Sequence, residues 1–127
     1  MEPFTELMLK LKEVCLEHLR LDLNLAELPK DGGVYAELGT AVEKPYVRAS
    51  VSVSKVPVLF MCKAFEEPEC IEILSKLCTY IRQKRRMLYG ETYQMRCLRV
   101  ASTPHKTGRT EDGQTVYSCI IEFEICY

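Results

Sequence analysis

Glu122 and Glu124 are the carboxylates best spaced for acid–base work. On a strand they share one face, roughly 7 Å apart, close enough for one to act as acid and the other as base. Arg96 on the preceding strand offers them an ion pair across the ladder, the commoner use of such a pair, and catalysis is not expected. His18 falls three residues after Cys15 on one helical face, half a metal site with no second cluster to complete it, and reads as a core or boundary histidine. His105 stands near Lys106 and Arg109 in a polar stretch, as a contact residue or a solvated one. The run Arg82-Gln83-Lys84-Arg85-Arg86 either complements a helix dipole or forms a basic patch for an acidic surface or a phosphate backbone. No Gly-rich phosphate loop, nucleophile elbow or triad signature is present. No catalytic residue, cofactor or metal is therefore expected.

Cysteine is the one reactive type in excess: seven residues, at 15, 62, 70, 78, 97, 119 and 126. An odd count, no export signal and no Cys-x-x-Cys pair argue against a disulfide framework and a zinc site. Cys97 and Cys119 fall on apolar strand faces, where a free thiol acts as a small hydrophobe. A redox role needs an electropositive niche.

The elements that must position these groups follow from periodicity. Phe4, Leu7, Met8, Leu11, Val14, Cys15, His18 and Leu19 predict a helix from Phe4 to about Leu21, opened by Pro3. Leu9 and Leu16 form a second stripe, which is either part of a wide buried face or a contact with another subunit. Val34–Ala41 reads as a strand and Tyr46–Ser54 as a clear one. Val56–Ala64, apolar on both faces, reads as central. The last two are expected to form a hairpin about Lys55, with one long bent strand as the alternative. Glu66, Glu67 and Glu69 open a second helix with buried stripe Ile71, Leu74, Leu77, Cys78 and Ile81, and the basic run closes it. A strand over Tyr93–Val100 changes parity at Cys97-Leu98, the mark of a bulge. A loop over Ser102–Gln114 with an Asp112-Gly113 turn follows. From Thr115 the odd positions, through Ile121, Phe123 and Ile125, are apolar or β-favouring, which describes a sheet packed on one side and partly wet on the other.

The expected fold is α+β: a single domain, with two helices packed on one side of a largely antiparallel sheet, in the order α-β-β-β-α-β-β. At 127 residues the chain can bury a core without staples. Net charge −1 and pI ≈ 6.1 argue against a dedicated nucleic-acid binder. The start, Met1-Glu2-Pro3-Phe4, does not read as a secretory signal, and the longest apolar run, Val56–Cys62, is too short to span a membrane. A soluble protein made in a cytoplasm is expected, with no membrane partner.

Taken in order, several segments resemble the minor capsid or tail-terminator proteins of long-tailed phages and prophages of Gram-positive bacteria. They are Tyr35-Ala36-Glu37-Leu38-Gly39, Tyr46 through Val53, Val56 through Lys63, and Leu74 through Ile81. Ala101-Ser102-Thr103-Pro104 follows, and then, across the Gly-Arg and Asp-Gly loop, Val116 through Ile121. The resemblance covers residues 34–127. It implies a structural protein of the virion head–tail junction, a homo-oligomeric ring (a hexamer) that caps the tail tube, stops its growth and joins the head connector. DNA would pass through only as cargo. By that analogy the sheet edges, the 102–114 loop with His105, Lys106 and Arg109, and the helix end with Arg85 and Arg86 are interaction candidates. Glu122 and Glu124 would face the passage and repel phosphates. Two other classes compete: a nucleic-acid or peptide-binding module using residues 82–86 and 102–114, whose binding would weaken steeply with salt, and a thiol-dependent enzyme, marked by one fast-alkylating cysteine.

Overall fold

A computed structural model describes residues 2–44, 51–84 and 88–127. The elements run α1 (Pro3–Leu19), β1 (Leu23–Asn24), β2 (Gly33–Leu38), β3 (Val42–Lys44), β4 (Val53–Ala64), α2 (Glu67–Gln83), β5 (Gln94–Arg109) and β6 (Thr115–Cys126). The sheet order is β1-β2-β4-β6-β5, with β3 also on β4; β1–β2 is parallel and the other pairings are antiparallel. This is the expected α+β class, with one short strand more than the sequence suggested.

Alternation sets the layers. Val56, Val58, Phe60 and Cys62 of β4 and Cys119, Ile121, Phe123 and Ile125 of β6 bury the same sheet face. Leu7, Leu11, Val14 and Cys15 of α1 and Cys70, Leu74, Leu77, Cys78 and Ile81 of α2 pack into one core with them. The helices also meet directly, where the His18 and Tyr80 rings stack at 5.6 Å; His18 itself is exposed, outside the core or boundary layer where the sequence reading placed it.

Several boundaries differ from the sequence reading, each for a local reason. The first helix stops at Leu19 because Arg20 turns left-handed (φ 55°) and Leu21 N–H closes back on the Cys15 carbonyl at 3.0 Å. Leu23 is fully buried as part of β1 and extends no helical stripe, while Leu9 and Leu16 are 44% and 51% exposed. In α2 it is Cys70, not Ile71, that enters the core; Ile71 lies largely outside.

The hairpin about Lys55 is not formed. Lys55 lies inside the continuous β4, opposite Val42 on one side and Glu124 on the other. Residues 46–50 of the expected strand Tyr46–Ser54 lie outside the described residues. Pro57 is tolerated in this central strand because its carbonyl, and so its missing donor, faces the gap between β2 and β3, where Gly39 N–H meets that carbonyl at 2.7 Å.

The predicted 102–114 loop is mostly strand. β5 runs on to Arg109, and only the tight Thr110–Gln114 turn remains, with Gly113 at φ 89°. Sixteen residues of β5 lie along twelve of β6, and four register shifts absorb the difference. The first, between Met95 and Cys97, is the bulge that the parity change signalled. Pro104 sits within another, between Ser102 and His105, where no ladder bond is lost. An edge strand wet on both faces has no need of apolar alternation, so its sequence resembled a loop.

Candidate functional site

β5 is the terminal strand of the sheet, and among the described residues no strand covers its second edge. Such an edge is a row of unpaired backbone donors and acceptors that another chain can extend, unless bulges twist it away or charges guard it. β5 has both protections: four shifts of register, and Arg96, Arg99, Lys106 and Arg109 with no acidic residue among them.

The near half of the strand carries a charge cluster on the outer sheet face. Glu124 is 8% exposed. It accepts a hydrogen bond from Lys44 Nζ at 2.9 Å, and Arg96 Nε lies 3.6 Å from its other oxygen. The Lys44 hydrogen bond holds the Glu124 carboxyl below its usual range, with the charges of Lys44 and Arg96 adding to the effect. Beside it Arg99 Nε donates to Glu122 at 3.1 Å. The cross-strand use expected of these carboxylates is what the structure shows, and neither is a free acid or base.

Glu122 and Glu124 are therefore not bare negative charge, since each lies beside a cation of the same chain. Lys44, Arg96 and Arg99 outnumber the two carboxylates, so the cluster carries a slight positive excess and is no source of repulsion for a phosphate. Sequence reading anticipated Arg96 but missed Lys44 and Arg99. The bulge between Met95 and Cys97 brings Arg96 onto the side of Cys97 and Arg99, and β3, three residues long, left too weak a pattern to place Lys44.

The far half of β5 leans on α2. Lys106 Nζ donates to Glu67 Oε1 at 2.6 Å, and Arg109 lies 3.8 Å from the same oxygen. The Lys106 hydrogen bond lowers the pKa of Glu67. His105 turns inward along its own strand, with Nδ1 2.8 Å from the Thr103 carbonyl and 3.3 Å from Ser102 Oγ. These three candidates do share one strand, and all three are engaged by groups of the same chain. Glu67 gave no sign in sequence beyond its place at a helix start. Arg85 and Arg86 lie outside the described residues.

Five of the seven cysteines are buried, Cys126 is half-buried and Cys97 is exposed. Cys97 therefore does not serve as the apolar strand residue that its neighbours suggested; the bulge before it turns it to the outer face. It borders a shallow hollow of about 100 Å³ together with Lys55, Arg99 and Glu122. Burial pushes the Cys15 thiol up to about 12 and raises Cys62 as well, so these stay protonated at neutral pH. Maleimide added to the native protein should modify Cys97 first, and Cys97→Ser should abolish that fast phase. If the fast phase persists in the variant, the placement of Cys97 is wrong. Fast labelling of Cys97 by itself is a consequence of exposure and does not signal a thiol enzyme.

No group of three or more His, Cys, Asp or Glu side chains among the described residues is arranged to hold a metal ion. No described helix is long and apolar enough to cross a membrane. Comparison with protein-family models gives no match, and comparison with curated proteins gives none either. Fold and surface together define an α+β domain whose sheet ends in a long, cation-bearing hairpin.

Proposed function

We propose that the chain is a structural subunit of a phage head–tail junction, one copy of a ring that caps the tail tube and presents a surface to the head connector. The observation that carries the reading is the sixteen-residue β5, a terminal strand whose bulges and cations block indiscriminate strand pairing while its exposed side chains leave a long surface for one specific neighbour. Two further features support it. Leu9 and Leu16 of α1 are exposed apolar residues that nothing among the described residues covers. The resemblance through residues 34–127 supplies the assembly in which such surfaces are used.

A ring needs a heterologous interface, one patch meeting a different patch of the next copy, with a rotation that closes. β5 and the exposed stripe of α1 are two such unlike patches. The nucleic-acid reading is weaker than the sequence suggested. Arg96, Arg99, Lys106 and Arg109 all lie beside carboxylates of the same chain, which compete with phosphate for them. The ring is the virion component, and DNA meets it only in transit.

Electron microscopy and light scattering of the purified chain, alone and mixed with tail tubes of a long-tailed phage, test the proposal. The expected result is a closed ring seated at one tube end. A monomer at all concentrations that leaves tube ends bare would overturn it.

A further inference from the structure

Three features compete for further meaning. The Leu9–Leu16 stripe already belongs to the ring reading. The exposed Cys97 is a lone thiol beside a shallow hollow. The third is a pair of thiols in direct contact inside the core, which no reading so far has used.

Cys78 on α2 and Cys119 on β6, 41 positions apart in sequence, place their sulfurs 3.6 Å apart. Both are buried, Cys78 at 6% exposure and Cys119 at none. The contact lies at the helix–sheet seam, with Leu74 and Leu77 on one side and Phe60 opposite Cys119 on the other. Two sulfurs at van der Waals contact need approach by only about 1.5 Å to reach the ~2.05 Å of a covalent bridge.

We propose that Cys78 and Cys119 form a latent dithiol that closes to an intramolecular disulfide under an oxidant of the peroxide class and so clamps α2 onto the sheet. The shared hydrogen bond, aided by the charge of Arg82, favours thiolate at Cys78, while the same bond and burial disfavour it at Cys119. Cys78 is also the less buried of the two, so it is the attacking sulfur. Its thiolate attacks one peroxide oxygen, the O–O bond breaks, and Cys78 becomes a sulfenic acid as hydroxide leaves. The Cys119 sulfur then attacks the Cys78 sulfur. The S–O bond breaks and the departing oxygen leaves as water with the Cys119 proton. In sum two thiols are oxidised and one hydrogen peroxide is reduced to two waters.

The clamp would suit a subunit made reduced and later exposed to oxidising surroundings, but it does not depend on the ring reading. Peptide mapping reads it in a monomer as well as in a ring. The purified full chain is treated with hydrogen peroxide, free thiols are alkylated, and the digest is read by mass spectrometry. The expected product is a peptide linking Cys78 to Cys119, with a Tm raised by roughly 10 °C. Cys97→Ser should still form the link, and Cys78→Ser should not. Should either cysteine variant fold poorly, the wild-type map alone still decides. Recovery of Cys78 and Cys119 as alkylated thiols, or with oxidised sulfur confined to Cys97, would overturn the proposal.

Discussion

Phe60→Ala should destabilise the protein by about 3–5 kcal/mol, a large part of the ~5–15 kcal/mol that holds a domain folded. Phe60 is fully buried in the middle of β4, and its register partners on the two flanking strands are Ala36 and Cys119. The small neighbours make room for the ring, which joins the single core that both helices form with this sheet face. Neither Ala36 nor Cys119 is long enough to fill the space once the ring is gone, so the cavity persists and its cost adds to the lost transfer free energy. Urea denaturation reads this as a fall in the midpoint at unchanged slope. Phe60→Leu, which keeps most of the volume, should cost clearly less. An alanine variant within about 1 kcal/mol of wild type would mean that Phe60 is not the keystone of this layer.

The same residue shows what was legible in sequence. Val56, Val58, Phe60 and Cys62 announced a central strand by composition, and the odd positions of β6 announced its packed face, because burial on a sheet writes itself at period two. The helices were legible for the same reason at their own period. Misreadings fell where position in the sheet, not pattern, decides the state. Ser102–Arg109 looked like a loop because an edge strand wet on both faces is under no hydrophobic constraint. Lys55 looked like a turn because a polar residue there is accommodated on the outer sheet face, opposite Glu124 of β6, which is adjacent only in three dimensions.

The candidate surface was only half readable. His105, Lys106 and Arg109 were singled out as charged and adjacent, and they do share β5. What could not be read was that Glu67, 39 residues before Lys106, engages two of them, or that Lys44 reaches Glu124 from 80 residues away. Such pairings depend on register, which a one-residue bulge resets. The Cys78–Cys119 contact is of the same kind, since its members come from separate elements with nothing in their local spacing to join them.

Acid should unfold this protein, and Glu6 should be a main reason. Its carboxylate accepts hydrogen bonds from the backbone N–H of Glu91 at 2.9 Å and of Thr92 at 2.7 Å, and from the Thr92 hydroxyl at 2.6 Å. One side chain of α1 thereby ties down the chain entering β5. Gly90 leaves the space it needs, since a Cβ there would collide with Glu6 Oε1 and the Tyr93 ring. These donors, the Glu91 N–H first, lower the Glu6 pKa from 4.5 to about 2. A carboxyl with a lower pKa folded than unfolded binds protons preferentially in the unfolded chain. Its contribution is therefore complete above pH 4.5 and drains away as the pH falls toward 2. Glu67, Glu124 and Asp112 shift in the same direction and steepen the loss. Thermal melts from pH 7 to 2 should show a Tm that holds at the upper end and drops through this window. Glu6→Gln should melt lower than wild type at neutral pH and lose less on acidification, because the neutral amide cannot titrate yet leaves the same donors poorly matched. Parallel profiles for variant and wild type would show that Glu6 does not hold α1 to the start of β5, and the acid sensitivity would then belong to Glu67, Glu124 and Asp112.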